Sequence, residues 1–318
     1  MLKKDIKTTA RLLRLIEKQD ISAIAELKDL YPLTGNAHII GITGLPGSGK
    51  STIIATIIES LRKDGKTVGV IAIDPSSPYT GGSLLGDRIR MQKYSTDDGV
   101  FIKSIPTAGW HGGISRVTSK MITVMDAAGY DSVLVETVGV GQAEVDIASL
   151  VHTTVVVLVG GLGDYIQVIK AGILEIADIY VINKTDINDG TDLEYNLKNL
   201  KNISTEDKKI MWDPPVILTQ ATGSIGISSL TQAITSHKEY LKNTSRFMDF
   251  FESRYRTELK QILLGHVTEL LEKKLEDDPD FKKLLNNKNS KDPYSAAEKI
   301  FTRLFYKNKP TKGVNDNG

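Results

Sequence analysis

The stretch HIIGITGLPGSGKSTIIATIIESL, residues 38–61, joins a β-branched apolar run to a run of helical character through a loop rich in glycine. Glycine loses more conformational freedom on folding than any other residue, so a cluster of it marks backbone that side chains would obstruct. Residues Gly44 to Ser51 fit G-x-x-x-x-G-K-[ST]: Leu45, Pro46, Gly47 and Ser48 fill the variable places, and Gly49, Lys50 and Ser51 close the motif. Backbone N–H groups of such a loop turn inward onto phosphate oxygens. The helix that opens at Lys50 and runs on through Thr52 adds the partial positive charge of its N-terminus. Lys50 would reach the β- and γ-phosphates, and the Ser51 hydroxyl would ligate Mg²⁺. Leu45 stands where the deviant loops of partitioning-type ATPases carry a second lysine, so this loop is the ordinary kind.

Outward from the loop, short apolar runs alternate with helical stretches. Strands are expected at 38–43, 67–74, 100–105, 132–136, 154–159, 178–183 and 215–219. Most are apolar throughout, the pattern of strands covered on both faces. Strand–helix alternation predicts an α/β fold of the P-loop NTPase type, a mostly parallel sheet with helices on both faces. Before it, residues 5–31 carry Leu12, Leu13, Ile16, Ile21, Ile24, Leu27 and Leu30 near helical spacing, and YPLTGNA (31–37) breaks the pattern. After about Ile234 the strands stop and long helical patterns follow. The domain reading is an N-terminal helical extension over 1–37, a nucleotide-binding domain over 38–235, a helical arm over 236–306 and a disordered tail over 307–318.

The base is read at NKTD, Asn183 to Asp186, directly after the strand IYVI. A carboxylate there accepts from guanine N1–H and its exocyclic amine. Adenine offers no donor at those positions and would leave Asp186 buried unpaired. Asn183 would brace the loop and face the major-groove edge of the base, while the Lys184 stem would cover the ring. The later Gln220-Ala221-Thr222 occupies, loosely, the place of the Ser-Ala loop that G proteins set against guanine O6.

In SVLVETVGVGQ, Glu136 ends a buried strand and Gly139 follows three residues on, the place of the D-x-x-G motif with Glu for Asp. Glu136 is the expected magnesium partner and Gly139 the expected γ-phosphate contact. Val140 stands where Ras-like proteins carry the water-orienting Gln, and Gln142 is a poor substitute by spacing, so slow intrinsic hydrolysis is expected. Asp74, at the end of VIAID, and Asp87, in GGSLLGDRIRM, are candidates for the metal's water shell or the attacking water. Each has an equally ordinary reading as a turn cap or a helix-dipole carboxylate. PTAGWHGGISR (106–116) reads as a second mobile, glycine-rich segment.

Composition narrows the rest. The 40 basic and 39 acidic residues give a net charge of +1, which points to no nucleic-acid partner. No cysteine is present, which excludes disulfides, zinc thiolates and thiol nucleophiles together. No apolar run approaches the ~18 residues of a membrane span, and the N-terminus lacks the apolar core of a signal peptide, so a soluble cytoplasmic protein is expected. The five histidines are scattered without ligand spacing and read as ordinary core or surface residues.

The motifs LTGNAHIIGITGLPGSGKST, IAIDPSSPYTGGSLLGDRIRM, ETVGVGQAEVDIASL, GDYIQVIKAGILEIADIYVINKTD and DPYSAAEKIF together resemble the MeaB/MMAA family. These are G-protein chaperones of adenosylcobalamin-dependent methylmalonyl-CoA mutase, which older naming calls LAO/AO, ArgK-type transport ATPases. The resemblance covers nearly the whole chain. It implies a homodimeric GTPase of the SIMIBI class, with GTP/GDP and Mg²⁺ as ligands, which gates cofactor loading into an acyl-CoA mutase and protects it. By matching position, Lys50, Asp74, Asp87 and Glu136 would line the Mg–phosphate site, and the C-terminal helices would form the dimer arm. Gln167 and Lys170 match a further switch at 163–170. Three features depart from the family pattern: Ala108 where Arg is usual, Tyr165 in place of a Glu, and the loose Ser-Ala loop. They put the client's identity and partner-stimulated hydrolysis in question, and isobutyryl-CoA mutase is another candidate client. Two other functions remain open: a kinase or ATPase tied to amino-acid (LAO/AO) transport, for which no clear catalytic base stands out, and a nickel-insertion GTPase, which normally carries His- or Cys-rich tracts.

Overall fold

The computed structural model of the chain describes residues 5–74, 92–94, 96–107, 114–138, 148–161, 173–204, 212–277, 279, 282 and 292–305, with backbone alone at 92, 200–204 and 304–305. The chain divides into two compact units, Met1–Glu258 and Leu259–Gly318.

The first unit is built on seven strands: β1 (His38–Thr43), β2 (Val68–Asp74), β3 (Val100–Pro106), β4 (Ser132–Glu136), β5 (Thr153–Val159), β6 (Ile179–Asn183) and β7 (Val216–Leu218). They form one sheet of order β3-β2-β4-β1-β5-β6-β7, and every neighbouring pair is parallel. Every residue of β1, β2, β4 and β6 is buried. That is why their sequences run apolar without alternating. β7 is one residue shorter at each end than the expected 215–219, although Pro215 O still accepts from Tyr180 N–H at 2.9 Å and Thr219 N–H still donates to Ile182 O at 2.8 Å, the two outermost bonds of the ladder.

The helices are α1 (Ile6–Glu17), α2 (Ser22–Leu30), α3 (Lys50–Lys63), α4 (Ile114–Ala127), α5 (Thr191–Ser204), α6 (Ile227–Asn243), α7 (Arg246–Asp277) and α8 (Pro293–Phe305). Successive strand residues feed opposite layers. Ile39, Ile71, Val133 and Val135 share a core with α1, α2 and α4. Ile40, Ile42, Val70 and Leu134 share another with α3 and α6. A third cluster packs Val156, Leu158, Tyr180 and Ile182 under α5.

The Asp5 carboxylate caps α1, accepting from the backbone N–H of Lys7 at 3.0 Å and Thr8 at 3.4 Å. Leu12, Leu13 and Ile16 of this helix are sealed in the core. The turn leading into β1 is fixed by the buried Asp126 of α4, whose carboxylate accepts from the N–H groups of Gly35 (2.7 Å), Asn36 (3.1 Å) and Ala37 (2.9 Å). The central strand therefore enters the sheet at a set position. Its carboxyl end lies between β4 and β5, where the order of connections reverses, the place where open parallel sheets bind ligands.

Candidate nucleotide-binding site

The loop leaving β1 is shaped by what presses on it. At Gly44 a Cβ would lie 2.0 Å from the Val157 carbonyl oxygen of β5. At Gly49, where φ is +95°, it would lie 2.3 Å from Asn183 Nδ2. No other residue type fits either position. Pro46 and Gly47 face solvent, while Leu45, Gly49 and Thr52 are half-buried. Ser48, Lys50 and Ser51 are buried, and the Ser48 hydroxyl is buried without a hydrogen-bond partner.

Lys50 Nζ donates to the carbonyls of Gly44 at 2.8 Å and Leu45 at 3.1 Å, and reaches Val138 O at 3.5 Å. The lysine thus closes the loop over itself. Ser51 Oγ donates to Glu136 Oε1 at 2.6 Å, and Glu136 is 4% exposed. β4 delivers this carboxylate because Ile42 of β1 pairs with Glu136 in register. Asp74, two residues beyond Ala72, the residue of β2 in register with Glu136, is also buried at the same edge of the sheet. Its backbone oxygen accepts from Thr107 N–H at 3.0 Å. Among the described residues no group of three or more His, Asp or Glu side chains is arranged to hold a metal ion.

At the other end of the site, β6 delivers Asn183, which is 2% exposed. Its Nδ2 donates to Ser48 O at 2.9 Å. Its Oδ1 accepts from Thr219 Oγ1 at 3.1 Å and from Ala221 N–H at 3.2 Å. One amide therefore ties the phosphate loop, the N-K-x-D turn and the Gln220-Ala221-Thr222 segment together. Lys184 takes φ +62°, which turns the chain so that Asp186 stands exposed. Thr185 anchors the turn by donating from its N–H and its hydroxyl to Thr219 O at 3.2 and 3.1 Å. Ala221 is buried and Thr222 exposed, and Gln220 bridges back to Ile225.

Asp87, Gly139, Gln142, Gln167 and Lys170 lie outside the described residues, as do Ala108 and Tyr165. Spacing along the chain gave no sign of two features. The joint at Asn183 depends on partners far away in sequence. Three of the five histidines also come together, at the amino ends of β1 and β5. His38 Nε2 lies 2.7 Å from Thr153 Oγ1, which lies 2.9 Å from His237 Nδ1, and His152 Nδ1 accepts from Ile39 N–H at 3.0 Å. Burial pushes His38 well below the ordinary histidine value, His152 down to about 3 and His237 down to about 4. Burial raises Asp178 beside them to about 7, against the pull of the Thr154 N–H. No described helix is long and apolar enough to cross a membrane.

A parallel sheet with a phosphate loop at its point of reversal and an Asn-Lys-x-Asp turn two strands away defines a P-loop NTPase. A solved structure described as a LAO/AO transport system kinase shares the fold, with a TM-score of 0.70 and 26% identity over 95% of this chain and 94% of that one. A protein of Pyrococcus horikoshii named as a GTPase is 46% identical over 95% of both chains. The GTPase ArgK of Escherichia coli is 36% identical over 76% of this chain and 75% of its own. The family model described as methylmalonyl Co-A mutase-associated GTPase MeaB matches residues 9–279. The chain belongs to this MeaB family of GTPases.

Proposed function

We propose that the chain binds GTP with Mg²⁺ at this site, hydrolyses it slowly, and uses the change of state to gate adenosylcobalamin loading into an acyl-CoA mutase and to protect that enzyme. The observation that carries the reading is the Asn183 amide, which makes the phosphate loop and the base-reading turn one rigid unit. The loop fits phosphate. The Ser48 hydroxyl is buried without a partner, and Lys50 donates to the Gly44 and Leu45 carbonyls, which phosphate oxygens would replace as better acceptors for an ammonium. Ser51 and Glu136 would hold Mg²⁺, with Asp74 and Asp87 around its water shell. An all-oxygen set with few protein ligands suits this cation, which keeps several waters and takes phosphate oxygens besides. The bound ion would neutralise charge on the phosphates.

The N–H groups of residues 44–51 and the N-terminus of α3 hold the phosphates, and Gly139 would contact the γ-phosphate. Asp186, exposed at the turn, would accept from guanine N1–H and its amine, with the Lys184 stem over the ring and Gln220-Ala221-Thr222 along the far edge. Val140 cannot orient a water as Gln does, so hydrolysis is slow until a partner acts. Gln142, Gln167 and Lys170 would carry the signal to that partner.

The family is described as associated with methylmalonyl-CoA mutase, which supports the client class. The second unit exposes Leu263 (55%), Leu270 (54%), Tyr294 (81%) and Phe301 (55%), which supports a homodimer formed through the C-terminal helices. A near-neutral charge supports a protein that uses no nucleic acid. Calorimetry tests the base: GTP should bind at least about a hundredfold tighter than ATP, and Asp186→Asn should abolish that preference. Equal affinity for ATP would refute the reading. A pull-down tests the client, with a mutase subunit expected to co-purify in a manner that GTP and GDP change. The kinase function is separated by labelled GTP, whose γ-phosphate should appear as inorganic phosphate and not on an acceptor protein.

A further inference from the structure

Away from the nucleotide site, the seam where α7 meets α4 and the turn before β1 holds donors that the protein leaves unused. Here Ser119 Oγ donates to Glu258 Oε2 at 3.3 Å, and Tyr31 packs against Phe251 (5.9 Å) and Tyr255 (5.8 Å). Arg254, between these residues on α7, is 3% exposed, and its Nε and Nη2 have no hydrogen-bond partner. These two nitrogens form one edge of the guanidinium, a pair of parallel N–H donors that grips an oxyanion side-on. The chain uses that same edge elsewhere: Arg62 donates from Nε to Asp97 Oδ2 at 2.9 Å and from Nη2 to Asp97 Oδ1 at 2.8 Å. On Arg254 the matching pair is vacant and more deeply buried. A buried charge left this way is strongly destabilising unless an anion completes it.

The surroundings extend the pattern. The Tyr31 hydroxyl and Arg116 Nε are also buried without partners. Burial, and then the charge of Glu258, push the Tyr31 hydroxyl up to about 12, so it stays protonated as a donor. Burial and the charge of Arg116 both lower Lys120, and Glu258 opposes them. Among the described residues, Arg116 and Glu258 both act on Lys120, and Glu258 and Arg254 both act on Tyr31. Three cations therefore lie along the seam with Glu258, while the Asp126 carboxylate at the turn before β1 is taken up by the N–H groups of Gly35, Asn36 and Ala37. His152, at the amino end of β5, feels the charge of Arg254. The phosphate loop follows the carboxyl end of β1, whereas Tyr31 lies ahead of its amino end.

We infer that this seam is a second anion site that takes a phosphate group, with Arg254 as its bidentate anchor and Tyr31 and Arg116 as flanking donors. A phosphate dianion suits the excess of positive charge better than a carboxylate, and its tetrahedral oxygens accept from more directions. The phosphate arrives free or as a monoester on a small molecule.

The test is thermal unfolding of the full chain with saturating GDP, titrated at constant ionic strength with inorganic phosphate, phenyl phosphate or acetate. The unfolding temperature should rise with phosphate or its monoester and not with acetate. Whichever of the two phosphates acts at lower concentration identifies the source. Arg254→Lys keeps the charge and loses the fork, so it should need about ten- to a hundredfold more phosphate for the same rise. Tyr31→Phe should weaken the response less, and it decides the matter together with Arg116→Gln if Arg254→Lys does not fold. No rise in the wild type, an equal rise with acetate, or responses unchanged in these variants would overturn the site.

Discussion

Replacing Asn183 by Ala tests whether one amide holds the nucleotide site together. The change removes the bond to Ser48 O at 2.9 Å and those from Thr219 Oγ1 at 3.1 Å and Ala221 N–H at 3.2 Å. Each buried hydrogen bond contributes about 1 kcal/mol, and partners left unsatisfied add to the loss. With Asn183 only 2% exposed, water cannot readily take over, so the total comes to about 3–4 kcal/mol. For a unit of this size each kcal/mol lowers the unfolding temperature by roughly 2–4 °C, and a fall of about 6–16 °C is expected in calorimetry. GDP affinity should drop by about tenfold or more in the same preparation, because both the loop and the base-reading turn lose their brace. A cycle with Thr219→Val should show coupling of about 1 kcal/mol. An unfolding temperature within about 2 °C of wild type would refute the assignment of Asn183 as the joint.

Three further outcomes follow from the geometry. Gly49→Ala should destabilise by roughly 2–3 kcal/mol in urea unfolding and Gly47→Ala by about 1 kcal/mol. Both have positive φ, but only at Gly49 would the Cβ meet an atom, at 2.3 Å, with nothing within 4 Å at Gly47; equal losses would contradict the close approach. Glu136→Gln should keep the hydrogen bond from Ser51 and leave thermal stability near wild type while abolishing Mg²⁺-stimulated GTP hydrolysis; full hydrolysis in phosphate-release assays would remove Glu136 from the metal. Stability should also fall on acidification. The folded pKa values of His38, His152 (about 3) and His237 (about 4) lie below the unfolded value. The unfolded chain therefore takes up protons first, and stability is lost as pH drops below about 6.5, by roughly 1–2 kcal/mol per histidine at pH 5. Asp178, raised to about 7, works in the opposite sense over the same range, so Asp178→Asn should steepen the fall. A urea midpoint unchanged between pH 7 and pH 5 would contradict the burial of these rings.

The parts of this protein that sequence makes legible are those in which neighbours in the chain decide the outcome. Strands buried on both faces leave apolar runs, and all seven lie within about a residue of their expected bounds. The glycines and Lys50 of the phosphate loop announce themselves by local spacing, and Glu136 and Asn183 by their places at strand ends. Other features depend on partners brought together by the sheet. Nothing near Asp126 in sequence shows that its carboxylate receives the N–H groups of Gly35, Asn36 and Ala37. His38, His152 and His237 looked scattered because the turns of chain that unite them around Thr153 lie between them. Arg254 sits in a helical pattern full of charge, where a guanidinium reads as solvated until α7 is seen to bury it.

The bond from Asn183 to Ser48 spans 135 residues, and that from Ala221 to Asn183 spans another 38. Contacts so distant close late in folding, because loop entropy must be overcome before they form. On a ribosome the glycine-rich loop emerges long before β6 and β7 exist to steady it. A half-made chain therefore carries the phosphate-binding sequence without a working site, and ligand capture marks the completion of the sheet. Nucleotide added during refolding should accelerate nothing early and trap only the last step, so that incomplete or truncated chains leave the nucleotide pool untouched.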